Sequence, residues 1–412
     1  MKFALISHIL PPSESGHAAV IHRLLCDLDP SSYCLLSSRD YGGEGQRNYS
    51  GKLHGNYYHL RPWFQMGSES DYRLRAIVES ATFGLGVVLR ARAIAKILKR
   101  EKCDAVVVCT GGYEVQDFPA AYLASRLAGA RFYAYLLDQY IHMASYGLRK
   151  TFLHRWEIPL MKVVSAVIET PIIRRASGII AHNEFQRDEI SRRYQVDAEI
   201  IHNPCDLADF EPTHVSKFEG DRDADELKIV YTGSLGDLHY QAFRNLINAM
   251  NLLGRNDVKL HLYTWVSAAD CRREGIQGPV VYHGHEILSA MPAIQQQADV
   301  LFLPLAFETP YPEIIRAAAP GKMGEYLAAG RPILVHAPSD SFIAWYFRRH
   351  ECGLVVDEND PSQLAKGIEL LLTDSKLRER LSARAVERAK ADFSLAKARA
   401  KFTAIIGLDN RT

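Results

Sequence analysis

The chain has 412 residues, of which 47% are hydrophobic and 24% are charged. This balance is that of an ordinary globular protein and excludes a wholly disordered chain, and the length predicts two domains with separate cores. The 49 basic and 48 acidic residues leave a formal charge of +1. Such near-neutrality argues against a nucleic-acid protein that relies on bulk positive charge.

The seven cysteines are scattered and form no Cys-x-x-Cys pair, so we expect neither a disulfide framework nor a structural zinc site. The opening residues, MKFALISHILPP, lack the long apolar run and the small-residue cleavage pattern of a secretion signal. No uninterrupted apolar stretch reaches the roughly 18 residues that a membrane-spanning helix needs. We therefore expect a soluble cytoplasmic protein.

Short apolar runs alternate with helical patterns along the whole chain, which is typical of α/β proteins with parallel sheets. Runs that are apolar on both faces predict a first set of strands at Phe3–Ile9, Tyr33–Ser37, Ala105–Cys109, Phe132–Leu137, Gly178–His182 and Glu199–His202. A second set is predicted at Lys228–Tyr231, Lys259–Tyr263, Val280–His283, Val300–Leu305, Pro332–His336 and Gly353–Val356. The helices expected between and after them are Gly16–Leu28, Arg75–Lys99, Glu184–Tyr194, Gln241–Leu253 and a long charged tail from Pro361 to about Ile406.

The polar, aperiodic stretch Phe210–Glu226 separates the two sets of strands and predicts a linker or a surface loop at a domain boundary. Its Asp221-Arg222-Asp223 has the form of a metal-binding Asp-x-Asp sequence, but we favour a solvated charge run and predict no metal site. We assign residues 1–210 to the first domain and residues 225–388 to the second. Each domain is expected to be doubly wound, with helices on both faces of its sheet.

The most informative segment is APGKMGEYLAAGRPILV, residues 319–335. A short helix can start at Pro320 or Gly321, which places Lys322 in its first turn. A cation there is disfavoured by roughly 0.3–1 kcal/mol unless an anion lies nearby. A diphosphate held by the exposed amides and the ammonium would remove this conflict. The alternative is a surface ion pair between Lys322 and Glu325, worth about 0.2–0.5 kcal/mol.

The pattern P-x-K-x-x-E-Y-L-A-A-G-x-P-I in this segment resembles the nucleotide-sugar motif of GT-B glycosyltransferases, in particular the retaining, family-4-like enzymes of group 1. Other pieces of that pattern follow in the expected order: Gly16 after the first strand, Ile201–Asp206 with Phe210, Ile229–Ser234, and Gly284 followed by Leu288 and Gln297–Val300. The resemblance covers essentially the whole chain. It implies two Rossmann-like domains facing a central cleft, and a C-terminal helix, about residues 390–412, that crosses back to the first domain.

The resemblance also implies transfer of a sugar from a nucleoside diphosphate sugar to an acceptor hydroxyl, with retention and without a metal or another cofactor. Glu325 matches the acid that accepts hydrogen bonds from the donor ribose, a task that suits a carboxylate because it only accepts. Lys322 matches the cation that binds the diphosphate and stabilises it as leaving group. The remaining residues assigned to the donor site are Gly321, Gly233, Ser234, Gly284 and His283. The acceptor is expected to be a glycan, a lipid-linked sugar or a small molecule, as in surface polysaccharide or glycolipid synthesis.

Candidate acceptor or phosphate contacts lie in the first domain. Gly16 allows close backbone approach and can open a helix whose amides face an anion, with an ordinary tight turn as the alternative. His17 beside it either contacts substrate or points to water. Asp138 ends a buried strand and is assigned a catalytic contact to the transferred sugar or the acceptor hydroxyl, with helix capping as the alternative. His142 and His182 are companions whose more ordinary role is structural.

The chain departs from the family pattern in two places. Many relatives have a second glutamate eight positions before the conserved one, where this chain has Ala317; Glu308 and Glu313 are both candidates to replace it. The loop after Gly233 has the sequence SLGDLHYQAFR and offers no arginine or lysine before Arg244, where relatives commonly have both for the diphosphate. These departures leave open a catalytically silent partner that binds nucleotide sugars. A sugar-nucleotide epimerase of GT-B fold is the other alternative.

One basic amphipathic stretch, Arg90–Lys102, has two interpretations. It could lie on an anionic membrane surface, where related enzymes find lipid-linked acceptors. The interpretation that we favour is a helix packed on the sheet with a charged outer face.

Overall fold

The structure is a computed structural model that describes residues 1–13, 15–41, 51–61, 72–110, 116–137, 167–211 and 226–408, with the backbone alone for residues 72–81. The chain forms two compact units. Unit 1 comprises Met1–His202 with Ala396–Thr412, and unit 2 comprises Asn203–Leu395. Most of the predicted linker, including Asp221 and Asp223, lies outside the described residues.

Unit 1 contains a parallel sheet of seven described strands in the order β3-β2-β1-β4-β5-β6-β7. The strands are β1 Phe3–Ile6, β2 Tyr33–Ser37, β3 Asn56–His59, β4 Ala105–Thr110, β5 Arg131–Leu136, β6 Gly178–Ala181 and β7 Glu199–Ile200. The labelled helices of this unit are α1 Gly16–Leu25, α2 Tyr72–Glu101, α3 Asp117–Ala128, α4 Glu184–Tyr194 and, from the end of the chain, α13 Leu395–Ile406. All six strands predicted in this half form, and β3 is an additional edge strand.

Alternate residues of β1 enter two different cores, one on each face of the sheet. Ala4 and Ile6 pack with α2 and α3, whereas Phe3 and Leu5 pack with α1 and α13. Because helices cover both faces, the strands carry no polar alternation. Phe402 of α13 is fully buried, with its ring centroid 6.0 Å from that of Phe3. The last helix therefore completes the core of unit 1, as the resemblance implied.

The basic stretch of α2 is packed inside unit 1. Ile94 and Leu98 lie in the core, and Arg90 is buried in an ion pair with Asp117 at the start of α3. This confirms the packed-helix interpretation of Arg90–Lys102. None of the helices in the described ranges combines the length and the hydropathy needed to cross a membrane.

Unit 2 repeats the architecture with a parallel sheet of six strands in the order β10-β9-β8-β11-β12-β13. The strands are β8 Leu227–Thr232, β9 Val258–Tyr263, β10 Val280–Gly284, β11 Val300–Pro304, β12 Ile333–His336 and β13 Leu354–Val356. The helices are α5 Tyr240–Leu253, α6 Ala268–Arg273, α7 Met291–Gln296, α8 Pro312–Ala317, α9 Met323–Ala328, α10 Phe342–His350, α11 Pro361–Thr373 and α12 Ser375–Asp392. Short 3₁₀ turns occur at Pro30–Ser32, Ala208–Phe210 and Leu288–Ala290.

The charged tail is not one long helix, which corrects the sequence-based expectation. It breaks at Asp374, whose side chain accepts a hydrogen bond from the Leu377 amide and so caps α12. It breaks again at Phe393 and Ser394, where the Cys205 amide donates to the Phe393 carbonyl and the Leu395 amide donates to the Cys205 carbonyl. These bonds hold the chain extended before it enters α13.

Candidate functional site

The carboxyl end of β8 lies at the point where the strand order of unit 2 reverses. From β8 the chain proceeds outward to β9 and β10, and β11 then pairs with the opposite side of β8. In doubly wound sheets, ligands bind beyond the carboxyl ends of the strands at such a point. Gly233 directly follows β8, and α9 lies between β11 and β12, so the predicted motif belongs to this edge of the sheet.

Gly233 has a backbone φ of +122°, which L-residues rarely adopt. A Cβ atom added there would lie 2.9 Å from Nζ of Lys322 and 3.1 Å from its Cε. The absence of a side chain at Gly233 therefore lets Lys322 lie directly against the backbone that follows β8. This contact brings together two of the predicted donor-site residues.

The Lys322 ammonium also lies over an aromatic ring. Nζ is 3.6 Å from the ring centroid of Tyr231, whose hydroxyl donates to the Ser234 carbonyl at 2.6 Å. Burial lowers the pKa of Lys322 to about 7, against the opposing effect of the Glu325 charge. Among the described residues, no carboxylate lies within ion-pairing distance of this ammonium. A bound anion would offset the destabilisation of the ammonium by burial.

His239 lies next to the same aromatic ring, with centroids 6.3 Å apart. Burial, and then the positive charge of Lys322, lower the pKa of His239 to about 3, so the imidazole is neutral at pH 7. Its Nδ1 atom is buried and has no hydrogen-bond partner among the described residues. Lys322 is consequently the cation of this site.

Glu325 lies in the first turn of α9 and is tied to β8 by buried side chains. Nε2 of the fully buried Gln295 donates to Oε2 of Glu325 at 3.1 Å and to Oγ1 of Thr232 at 3.2 Å. The Thr232 amide in turn donates to the Tyr326 hydroxyl at 2.9 Å. The carboxylate is therefore positioned before any ligand arrives.

Close packing beneath α9 explains why the motif has a glycine at position 324. A Cβ on Gly324 would lie 2.9 Å from the Phe393 ring and 3.2 Å from the Asn203 carbonyl. The Asn203 side chain donates to the Ala319 carbonyl at 3.0 Å, which fixes the segment before Lys322. A cation and an acceptor-only carboxylate are thus held near each other, a combination that suits a diphosphate and a neighbouring pair of hydroxyls.

Comparison with known proteins relates unit 2 to a family and the whole chain to a fold. Residues 226–374 match the family model described as glycosyl transferases group 1, a match that lies wholly within unit 2. HepE of Anabaena, in complex with UDP-glucose, superposes with a TM-score of 0.67 at 14% identity, covering 99% of this chain and 100% of that one. The fold is GT-B.

Two other solved structures have the same architecture over the full chain. Sucrose-phosphate synthase from Thermosynechococcus elongatus gives a TM-score of 0.67 at 15% identity, covering 99% of this chain and 98% of that chain. WaaG, described as a glycosyltransferase involved in lipopolysaccharide biosynthesis, gives 0.60 at 14% identity, covering 98% and 100%. No curated protein matches the sequence. The predicted resemblance to GT-B glycosyltransferases of group 1 is confirmed.

The GT-B motif helix begins later than expected. It starts at Met323 rather than at Pro320 or Gly321, because the Met323 amide closes a separate turn onto the Pro320 carbonyl at 2.9 Å. Lys322 is therefore the residue that precedes the helix, not a member of its first turn. Gly321 is exposed beside it.

Two predicted donor-site residues, His283 and Gly284, lie on the edge strand β10. The His283 ring stacks on Tyr263, with centroids 4.2 Å apart, and its Nε2 lies 2.9 Å from Nδ1 of His261. Burial and the nearby His261 lower the pKa of His283 to about 4. The His283 ring therefore packs against β9. Its described contacts include neither Gly233 nor Lys322. Gly284 ends the strand with a φ of +79°.

The two candidates for the missing glutamate, Glu308 and Glu313, and the first arginine after Gly233, Arg244, lie in different surroundings. Glu308 is held by its amide, which donates to Oε1 of Gln241 at 2.7 Å, whereas Glu313 is exposed on the short helix α8. The guanidinium of Arg244 donates to the Glu274 carbonyl at 3.1 Å, and its stem packs against Gly275. That arginine is therefore engaged at a turn after α6.

In unit 1, Gly16 is the first residue of α1 and is exposed, with open space where a Cβ would lie. The helix is capped by Ser15, whose hydroxyl accepts from the Ala18 amide at 3.1 Å, and His17 is half-buried. His182 is buried against the Gln186 side chain, a structural role. Asp138 and His142 lie outside the described residues, so their assignments stay predictions.

Sequence analysis missed Gln295, Tyr326 and Tyr231 as members of the site. Gln295 is one of three consecutive glutamines, and only its position on α7 directs its amide to Glu325. Tyr326 belongs to the recognised motif and was identifiable as a buried member of it. Tyr231 offered no signal beyond its place at the end of an apolar strand.

Proposed function

We propose that this protein is a glycosyltransferase that moves a sugar from a nucleoside diphosphate sugar to an acceptor hydroxyl. One arrangement carries the proposal. Lys322 is partly buried and has no ion-pair partner among the described residues, and Gln295 holds Glu325 in place near it. The match of residues 226–374 to glycosyl transferases group 1 supports it. So does the presence of UDP-glucose in the complex of HepE, a protein of the same fold.

In this proposal the donor occupies the carboxyl edge of the unit 2 sheet. Lys322 binds the diphosphate and stabilises the negative charge that develops on it as the glycosidic bond breaks. Glu325 accepts hydrogen bonds from the two ribose hydroxyls and so fixes the position of the nucleotide. Retention of configuration, reaction without a metal and a role for Asp138 at the acceptor hydroxyl follow from the resemblance and are part of the proposal.

A thermal-shift screen of the full chain against nucleotide sugars and nucleoside diphosphates tests the donor assignment. We expect one donor, and its nucleoside diphosphate, to raise the melting temperature as the ligand concentration rises. Release of the nucleoside diphosphate on addition of acceptor, with the product's anomeric configuration determined by NMR, tests the reaction. The acceptor panel includes glycans and lipid-linked sugars, with and without a chelator.

Ala317 and the absence of an arginine or lysine between Ser234 and Phe243 favour one second candidate, a catalytically silent protein that binds nucleotide sugars. Donor binding without turnover over the whole acceptor panel would support that candidate. Conversion of the donor sugar in the absence of acceptor would indicate an epimerase instead. If no nucleotide sugar or diphosphate shifts the melting temperature, the proposed function is wrong.

A further inference from the structure

Unit 1 contains a cavity of about 290 Å³ that the proposed donor site does not use. It lies at the carboxyl ends of β2 and β3 and is lined by Arg39, Asp40, His59 and Arg61 together with tyrosines. The volume lies just below the range for small-molecule sites, about 300–1,000 Å³. It suits a ligand of the size of one sugar residue.

The cavity has an excess of positive charge. Arg39 and Arg61 contribute two guanidinium groups, against the single carboxylate of Asp40. Asp40 lies 3.7 Å from Nδ1 of His59. Arg61 is exposed and forms no ion pair with any described residue. Guanidinium groups bind phosphate and carboxylate through paired N–H donors, so this wall favours an anionic ligand.

Arg39 is held in place by a chain of hydrogen bonds. Its Nε donates to Nε2 of His8 at 3.3 Å, and because arginine has no acceptor, that histidine nitrogen must be unprotonated. Nδ1 of His8 then carries the proton and donates to the Ser38 hydroxyl at 2.7 Å. The two η nitrogens of Arg39, which lines the cavity, have no hydrogen-bond partner among the described residues.

The aromatic part of the wall is fixed by the loop that follows β1. The Tyr57 hydroxyl donates to the Pro11 carbonyl at 2.8 Å, and the Tyr41 hydroxyl accepts from the Leu10 amide at 3.0 Å. The two ring centroids are 6.0 Å apart. Tyr41 is buried and Tyr57 is half-buried, so the accessible part of the Tyr57 ring is the aromatic surface that a ligand can contact here. Ring surface suits the C–H face of a sugar.

We propose that this cavity binds a sugar unit that carries a phosphate or a carboxylate group, and that this unit is part of the acceptor. The assignment to an acceptor rests on the proposed function. The binding chemistry itself does not: the arginines bind the anion, Asp40 accepts from sugar hydroxyls, and Tyr57 contacts the sugar ring.

The test measures binding of glucose 6-phosphate, glucuronate, glucose and inorganic phosphate to the full chain by saturation-transfer NMR and calorimetry. Arg61→Gln removes one guanidinium and keeps the stem length. Arg192→Gln is the matched control, because Arg192 is exposed on α4, away from the cavity, and has no described ion pair. We expect Arg61→Gln to weaken the preferred anionic sugar about ten-fold or more, and Arg192→Gln to change it less than about two-fold.

The arms of the experiment separate the sources of the anion. Preference for glucose 6-phosphate indicates a phosphorylated sugar, and preference for glucuronate indicates an acidic one. The proposal is wrong if neither binds more tightly than both glucose and inorganic phosphate, or if the two arginine variants behave alike. Glu325→Gln should leave this binding unchanged. Failure of the donor site and failure of this cavity are therefore distinguishable.

Discussion

The two units share one strand order but hold their polar residues differently at the carboxyl edge of the sheet. In unit 2, Lys322 and Glu325 are fixed by buried contacts with Gly233, Tyr231 and Gln295. In unit 1, the arginines at the ends of β2 and β3 are exposed and line an open cavity. The shared fold therefore does not determine the chemistry of either edge. That chemistry depends on how deeply the charged side chains at each edge are buried.

The largest expected effect concerns Glu325. Glu325→Gln removes the negative charge and replaces one acceptor oxygen with an amide donor. One ribose hydrogen bond is then lost and the other becomes a weaker neutral one, so we expect donor affinity to fall about 100-fold. Calorimetry with the identified donor measures this, and thermal unfolding checks the fold. Glu379→Gln, which changes an exposed glutamate on α12 that has no assigned role in the site, is the control and should bind normally. Unchanged donor affinity in Glu325→Gln would remove the central residue of the proposal.

Substitution of Lys322 should weaken the binding of ligands that carry a diphosphate more than the binding of ligands without phosphate. We expect Lys322→Met to weaken nucleoside diphosphates and their sugars about 30-fold and the bare nucleoside less than about two-fold. The melting temperature of the unliganded variant should not fall, since an apolar chain fits between Gly233 and Tyr231 without a buried charge. Equal losses for nucleoside and diphosphate would show that Lys322 does not contact phosphate.

The strands and helices that could be predicted from the sequence are those marked by a local pattern of residues. Strand β2 and helix α4 match their predictions residue for residue, because buried apolar runs and amphipathic spacing are local patterns. Strand β3 was missed because Asn56–His59 is a half-exposed edge strand whose sequence, NYYH, has no apolar run. An edge strand is defined by its partner, here β2, and not by its own composition.

The site was predictable where the motif is local and not where it depends on tertiary contacts. Lys322 and Glu325 lie three residues apart and were found together. Gln295 is indistinguishable in sequence from Gln296, and its role appears only when α7 packs beside α9 and β8. The contact between Lys322 and Tyr231 likewise joins distant segments, and it explains why the lysine tolerates a position that the helix dipole alone disfavours.

Gln295 and Gln296 provide a matched pair of variants that tests how unit 2 holds Glu325. Gln295→Met keeps the side-chain volume but removes the donor to Glu325, and we expect donor affinity to fall about ten-fold. Gln296→Met is the matched control, since the Gln296 amide donates to the Phe210 carbonyl instead. Calorimetry with one donor compares both. If the two variants bind equally well, Glu325 does not need Gln295 to hold it.

The lowered pKa of Lys322 predicts a proton linkage that exposed arginines cannot show. Between pH 7 and its ordinary pKa of 10.5, the folded protein holds fewer protons on Lys322 than the unfolded chain, so the free energy of unfolding of the unliganded protein rises with pH in that window. A diphosphate requires the ammonium. Donor binding at pH 8 should therefore take up about 0.9 proton, and affinity should fall about five-fold from pH 7 to pH 8.

Calorimetry in buffers of different protonation enthalpy measures this uptake. A nucleoside diphosphate sugar is the suitable ligand, because its diphosphate is esterified at both ends and does not titrate near neutral pH. His239 is neutral throughout this range and contributes nothing. Lys322→Met should abolish the uptake, and proton uptake that persists in this variant would place the titrating group elsewhere.

The smallest effect on donor affinity, no change, is expected from a variant that tests how firmly unit 1 holds its own edge. Tyr41→Phe leaves the buried Leu10 amide without its acceptor, which costs about 1–3 kcal/mol and loosens the loop between β1 and α1. Hydrogen exchange should accelerate at the Leu10 amide, which donates to the Tyr41 hydroxyl, and at the Ser13 amide, which donates to the Leu10 carbonyl, while exchange in α9 and donor affinity stay unchanged. Accelerated exchange in both units would mean that the two edges are not held independently, and the contrast between a preformed site and an open cavity would no longer stand.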